Sequence, residues 1–465
     1  MTPEVNPTYR SDFKPSVFAE GVLRDGKIIS LQETPQHMIE RMVTTLFSVE
    51  GKFGTSSSEI QKMIDQFGIF LDEKKCVMST PVMTNAGRYE NKPLSACTVP
   101  PIDLKGDLSK TEDIINHFHS DGMGTGFSLN ETDEPVRVLR FLNNIALQGA
   151  NGGGEDRPVG NMAILSVHHP QILNFVFAKT DADQKGEEWK FNISVDASAE
   201  FMDAVMQKTP YILWDGTRLN AAEVMESIAK SAHVCGDPGL IFMDRMNKDN
   251  PTPGLAPYTS TAPCAEVGLA PGESCQFGYI NVGKFVSGDG GRSINYSELE
   301  LATRLMTRVL DNALEISIDR YFHPTSQHIM RAKRKIGVGI CGLADMFIDM
   351  GIPYDGDQAR QTALDIVAFI NYVSKLESHE LAKTRGSFEA MTLSIGSRYN
   401  DEPGFLEQKY GRLETLHVTP DMWQRLGKLI RETGLLRNAS TIALPPTGRS
   451  GLVIDASTGI EPVLP

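Results

Sequence analysis

Apolar residues recur every three to four positions along several stretches of the chain, the period of a helix that buries one face. Met38, Met42, Val43 and Leu46 share such a face, and Ile60, Met63, Ile64 and Phe67 share another behind a serine-rich cap at 56–58. Asn220 with Glu223 has the form of a capping box ahead of Val224 and Ile228. Thr419, Pro420 and Asp421 open a helix that runs through Trp423, Leu426 and Ile430 and stops at Gly434. The same period covers 297–318 and 358–381. Between these stretches lie short apolar or β-branched runs bounded by Gly, Pro, Asn or Ser, which predict strands over 94–99, 162–167, 191–195, 336–340 and 441–444. Strands alternating with helices of this length predict an α/β protein whose sheet is largely buried, and either a barrel or a wound sheet fits. Two stretches read as loops: 151–158, with three consecutive glycines at Gly152, Gly153 and Gly154, and 249–257, with three prolines. The pattern shows no internal repeat and no low-complexity tract.

Composition narrows the classes. With 465 residues, 40% of them hydrophobic and 22% charged, the chain has enough apolar surface for a sizeable core. A formal charge of −14 argues against a nucleic-acid partner, since tracking a phosphate backbone needs clustered Lys and Arg. A small phosphorylated ligand stays compatible, because helix termini and a few local cations suffice for it. No basic-flanked apolar segment opens the sequence and no run approaches a membrane span, so the expected location is the cytoplasm. The cysteines, Cys76, Cys97, Cys235, Cys264, Cys275 and Cys341, are widely spaced and form no C-x-x-C pair. That spacing predicts neither a zinc site nor a secreted disulfide framework, and no metal bound by this chain. The His168–His169 pair lacks a partner at metal-ligand spacing and reads as structural.

The most informative stretch is 235–286. It holds in order a GDPG turn, a DNPTP loop, a PC-x-E core at Pro263, Cys264 and Glu266, and Cys275 ahead of GYIN. PLSAC lies at 93–97, GTGFS at 124–128, LRNASTIALPPTG at 436–448 and TGIEP at 458–462. This ordered set resembles the catalytic subunit of ribonucleotide reductases, over roughly 78–465, with features similar to the adenosylcobalamin-dependent class and to compact phage-encoded members. The resemblance implies a ten-stranded α/β barrel with a central finger loop carrying a radical cysteine. A short helical region, 1–75, without a regulatory nucleotide-binding domain would precede a barrel over 76–465 that lacks its last strands and tail.

The same resemblance implies roles. Cys264 would become a thiyl radical and take the 3′-hydrogen of a ribonucleotide. Glu266, two residues on, would share a side of an extended loop with it and act as general base on the 3′-hydroxyl. Cys97 and Cys275 would be the reducing pair, which must lie within disulfide reach. Ser79 and Thr80 would face a phosphate-binding turn at Pro446, Thr447, Gly448, Arg449 and Ser450, with Ala96 and Ala262 completing the substrate pocket. Cys76, Cys235 and Cys341 match no catalytic position and read as packing residues.

Departures from the family pattern sharpen these expectations. Ala262 stands where the family's loop begins with asparagine, so either another donor replaces the lost amide, with Asn85, Asn192 and Ser194 as candidates, or substrate handling differs. The 11-residue interval from Cys264 to Cys275 resembles the short loop of cobalamin-dependent members. The radical source is thereby either adenosylcobalamin or a metal centre in a separate radical-generating small subunit. Expected partners are a ribonucleotide and a thioredoxin- or glutaredoxin-like reductant; the stop at Pro465 after GIEP fits a truncated sequence, a disordered tail or a split partner chain that completes the barrel. In the phage-encoded case the location is the host cytoplasm. The segment 151–158 resembles the family's specificity loop in position. The alternative from another class is a noncatalytic nucleotide-binding relative of the same barrel, against which the retention of Cys97, Cys264, Cys275 and Glu266 argues.

Overall fold

Alternation along the strands decides which side of each sheet is packed. In the computed structural model, which describes residues 8–106, 108–151, 159–183, 187–288, 293–393 and 396–463, the chain forms two units. One takes in residues 1–96, 251–255 and 275–465; the other takes in 97–250 and 256–274.

The second unit is built on five parallel strands in the order Cys97–Thr98, Gly124–Ser128, Asn161–Ser166, Phe191–Asp196 and Gly239–Ile241. Successive side chains of a strand point to opposite faces. Ala163, Leu165, Ile193 and Val195 accordingly pack with helical residues such as Leu142, Phe175, Phe201 and Val224, while Met162 and Ile164 turn the other way and meet Met243, Tyr258 and Ala265. Both faces are covered, which is why these strands read as nearly continuous apolar runs. The 191–195 and 162–167 predictions match strands here to within one residue. The 94–99 prediction shrinks to Cys97–Thr98.

The first unit carries a three-stranded sheet in the order Cys76–Met78, Phe277–Asn281, Gly337–Cys341, antiparallel in the first pairing and parallel in the second. The expected strand at 441–444 is reduced to a single parallel bridge between Ile442 and Val338. Pairing ends because Pro445 and Pro446 follow directly and have no N–H to donate. Helices form where the period predicted them, at Tyr296–Ser317, Asp357–Arg385 and Pro420–Thr433, the last stopped by Gly434 at φ 65°. Ser56 and Glu59 close a full capping box at the start of Ser57–Asp72. Several helices went unpredicted, among them Thr111–Ser120, Pro135–Asn151, Ala199–Gln207 and Val17–Asp25, the last of which buries only Ala19 and Leu23 and leaves Val17 93% exposed. Residues 152–158, the expected specificity loop after Asn151, lie outside the described residues.

A buried ionic network ties the first unit together. Asp311, on helix Tyr296–Ser317, accepts from Arg334 at 2.8 Å, Arg385 at 2.8 Å, Arg437 at 3.2 Å and Asn438 at 3.1 Å. Arg385 also reaches Glu50 at 2.6 Å, and Glu50 takes further bonds from Arg308 and Asn312. Both carboxylates are fully buried. Burial alone would raise the Asp311 pKa, but the facing guanidiniums of Arg334, Arg437 and Arg385 outweigh it and hold the carboxyl far below the usual carboxylate range.

Asp311→Asn keeps the shape and removes the charge these arginines face, so we expect a loss of about 3–5 kcal/mol in urea unfolding at neutral pH. Because the folded-state pKa is depressed, the stabilisation is complete above the unfolded carboxylate value near 4 and drains away as pH falls below it. Wild type should therefore lose stability between about pH 5 and pH 3 more steeply than Asp311→Asn. Equal unfolding midpoints for the two proteins at pH 7 would rule the account out.

Candidate active site

Cys264 stands at the end of a hairpin. Ser260–Thr261 pairs antiparallel with Gly268–Leu269, and the Ala262 amide donates to the Val267 carbonyl at 3.2 Å. Within the tip the Ala265 amide donates to the Ala262 carbonyl at 2.9 Å, and Ala265 has φ 62°. The tip is thus a tight turn, which corrects the expected extended loop: it is a left-handed residue between them, not strand alternation, that brings Cys264 and Glu266 to one another. Ala262 is fully buried beside Val99 and Leu269, with both of its backbone polar groups spent inside the turn.

The hairpin lies directly on the sheet at GTGFS. A side-chain carbon on Gly126 would sit 2.0 Å from the Thr261 carbonyl oxygen, so only glycine admits this approach. At Gly124 the same construction falls 2.9 Å from Pro263 Cγ and 3.6 Å from Cys97 Sγ. Cys97 and the residue preceding Cys264 therefore flank one glycine. The Pro263 carbonyl accepts from Asn192 Nδ2 at 2.9 Å.

The electrostatics follow from this crowding. Cys264 is exposed at the tip, yet the protein around its sulfur displaces enough water, with Glu266 and then Cys97 adding to the effect, to push the thiol up to about 12. It is an S–H group at physiological pH. Glu266 is also raised, by burial first, with the amides of Glu266 and Cys264 acting in opposition. Its Oε2 is buried with no hydrogen-bond partner, an open acceptor beside the thiol.

The other predicted residues belong to the first unit. Cys275 is fully buried, and its carbonyl accepts from the Ala96 amide at 3.3 Å. Ser79 precedes the helix Thr80–Asn85, donates its amide to the Phe277 carbonyl at 3.2 Å, and keeps a buried hydroxyl with no partner. Thr447, at φ 55°, begins the helix Gly448–Val453, and its hydroxyl accepts from the Gly459 amide at 2.8 Å. That bond joins the PPTG and TGIEP blocks. Ser450 is buried in this helix, Pro446 and Gly448 are exposed, and the Arg449 side chain runs beside Gly26, 3.6 Å from where a Cβ would stand there. Of the three residues proposed to replace the missing amide, Asn85 donates to the Pro93 carbonyl, Asn192 to Pro263, and Ser194 packs beside Gly239. The His168 and His169 rings are engaged at both nitrogens, with Ile212, Ser198, Thr132 and Gln171.

Sequence reasoning passed over the glycine slot at Gly124 and Gly126, although GTGFS was in view, and it missed Asp311 altogether. Two glycines two apart in a strand signal close approach by another backbone. Nothing near Asp311 in sequence announces its distant arginines. Among the described residues, no group of three or more His, Cys, Asp or Glu is arranged to hold a metal, and no helix is long and apolar enough to cross a membrane.

Residues 125–465 match the family described as ribonucleotide reductase, barrel domain. The vitamin B12-dependent ribonucleoside-diphosphate reductase of Mycobacterium tuberculosis is 29% identical over 480 residues, covering 98% of this chain and 63% of that protein. The protein of the same name from Thermoplasma acidophilum is 31% identical over 448 residues, covering 89% of this chain and 52% of its own length. The vitamin B12-dependent ribonucleotide reductase of Rhodopirellula baltica is 27% identical, covering 80% and 40%. The chain thus spans less than two thirds of each of these relatives. A family match over well over half of the chain, reaching into both units, identifies it: the protein belongs to the ribonucleotide reductase family.

Proposed function

We propose that this chain is the catalytic subunit of a ribonucleotide reductase that converts ribonucleoside diphosphates or triphosphates to 2′-deoxyribonucleotides. The observation that carries the reading is Cys264: a protonated thiol presented at a hairpin tip, beside an unpartnered carboxylate oxygen and next to Cys97. Expelling a ribose 2′-hydroxyl from an unactivated carbon is slow, and a radical at the neighbouring carbon lowers the barrier. As a thiyl radical, Cys264 takes the hydrogen atom from C3′ and becomes a thiol again. Glu266 accepts the 3′-hydroxyl proton while one thiol of the Cys97 and Cys275 pair gives its proton to the 2′-hydroxyl, which leaves as water. The remaining thiol hydrogen of the pair passes to C2′ and the pair becomes a disulfide, its second electron and the proton held by Glu266 restoring the 3′-hydroxyl; the hydrogen held by Cys264 returns to C3′ and leaves Cys264 again a thiyl radical. A thioredoxin- or glutaredoxin-like protein would restore the dithiol.

Substrate phosphate would meet the hydroxyls of Ser79, Thr80 and Ser450 and the backbone of Pro446, Thr447, Gly448 and Arg449. The partnerless Ser79 hydroxyl and the left-handed Thr447 support this assignment. Ala96 would line the same pocket and Ala262 would shape the turn beneath Cys264. The family resemblance implies a ten-stranded barrel around a finger loop, and the hairpin 260–269 would be that finger.

For the radical source we favour adenosylcobalamin over a metal centre in a separate small subunit, because the relatives' names are vitamin B12-dependent. Cys264 fits such a partner, being exposed and carrying the S–H from which a hydrogen atom is removed. When bound, adenosylcobalamin would supply an organic radical strong enough to take that atom. Such an enzyme would work in the cytoplasm.

The test is to incubate the chain with ribonucleotides and dithiothreitol, with and without adenosylcobalamin, and to measure deoxyribonucleotides. We expect product only with the cofactor; no product with either adenosylcobalamin or a metal-containing small subunit would overturn the reading in favour of a noncatalytic relative. Cys264→Ser should abolish turnover while leaving the thermal melt unchanged, since oxygen for sulfur barely alters volume; retained turnover would refute the radical role. Because Glu266 must be ionised to accept a proton and its pKa is raised, kcat should climb with pH through a midpoint above the ordinary carboxylate value. Glu266→Gln should remove that acid limb and lower kcat by about 10²- to 10⁴-fold; an unchanged limb would exclude Glu266 as the base.

A further inference from the structure

At the hairpin tip the Pro263 carbonyl is held from outside the turn. Ala262 gives its amide to Val267 and its carbonyl to Ala265. Pro263 has no N–H, so its carbonyl is the one group by which the residue before Cys264 can be held. That carbonyl is met by Asn192 Nδ2 at 2.9 Å. Asn192 is out of place by composition: it is the one exposed residue in Phe191–Asp196, a strand otherwise buried or nearly so, and asparagine is a poor strand former. The pyrrolidine ring of Pro263 is confined as well. A Cβ on Gly124 would fall 2.9 Å from its Cγ, and one on Gly160 would fall 3.3 Å from its Cβ. Two glycines thus form a slot for the ring, and one amide ties the carbonyl.

We propose that Asn192 is a positioning residue for Cys264, acting through Pro263; the inference rests on the reading of Cys264 as the radical thiol. The amide fixes the peptide plane between Pro263 and Cys264, and with it the direction in which the sulfur leaves the turn. Hydrogen-atom transfer demands close, directed approach of sulfur to C3′, so a tip free to rock loses rate without losing substrate affinity. This also gives an account of Ala262. The asparagine that the family's pattern has at that place is absent, and an amide reaches the loop from a neighbouring strand instead.

Full-length Asn192→Ala and Asn192→Asp test this with two readouts. In turnover with ribonucleotide, dithiothreitol and adenosylcobalamin, Asn192→Ala should lower kcat by about tenfold to a hundredfold with KM within about twofold of wild type. In amide hydrogen exchange read by mass spectrometry, which needs no turnover, the amides of Cys264, Ala265 and Glu266 should exchange faster while the strand Asn161–Ser166 keeps its protection. Asn192→Asp, nearly isosteric, repels the carbonyl when ionised and donates to it when protonated. Its kcat relative to that of Asn192→Ala should therefore rise as pH falls toward the carboxylate range, a dependence that lost packing would not produce. Wild-type kcat in Asn192→Ala would overturn the proposal, as would a reduced kcat with unchanged exchange at the tip. Turnover by Cys264→Ser would instead defeat the radical reading, whatever the exchange data show.

Discussion

The reactive hairpin can rest on its sheet only because there is no side chain at Gly126. The Thr261 carbonyl occupies the space that a Cβ would need, at 2.0 Å. Any other residue there would force the hairpin away, and the contacts that depend on it would go too: Pro263 between Gly124 and Gly160, Asn192 on the Pro263 carbonyl, and Cys97 beside the same glycine. The strand contributes by what it omits. Its apolar residues serve the opposite face, where Phe127 joins the main core of that unit. One face of GTGFS therefore stabilises the sheet and the other admits a second backbone.

Chemistry at the tip follows from the same crowding. A thiol that must give up and regain a hydrogen atom should not ionise, and the protein mass around Cys264, with a carboxylate nearby, opposes a second negative charge. Glu266 experiences the same loss of water and is raised as well. The two groups thus keep protons more readily than their free counterparts, which would suit the proposed hydrogen-atom transfer for one and proton acceptance for the other.

In the first unit the corresponding constraint is ionic. Asp311 draws Arg334, Arg385 and Arg437 onto one helix, and Asn438 shares its Oδ1. Arg437 and Asn438 begin the segment that runs on to Thr447, so the network anchors one end of the chain leading to the proposed phosphate turn. The other end is held by the Gly459 amide on the Thr447 hydroxyl. Between these anchors the prolines at 445 and 446 stop strand pairing. A buried charge cluster of this kind is costly to desolvate, and its full set of hydrogen bonds is what makes it tolerable.

Much of this was legible along the chain. The apolar period marked the long helices, Gly434 and the capping box at Ser56 and Glu59 marked their ends, and uninterrupted apolar runs marked strands covered on both faces. Ordered motifs singled out Cys264, Glu266, Cys97 and Cys275 as candidates, because chemistry restricts residue type at a reacting centre more than anywhere else. Helix Val17–Asp25 escaped notice because it buries too little to leave a stripe, and the strand at 441–444 failed because two prolines cut its ladder short. What tertiary structure alone decided are relations between distant residues: the left-handed Ala265 that joins Cys264 to Glu266, the hold of Asn192 on Pro263, and the gathering of arginines on Asp311. Periodicity and motif are properties of neighbours in sequence, whereas these depend on which backbone approaches which, and that is settled only when the faces of helices and sheets have packed.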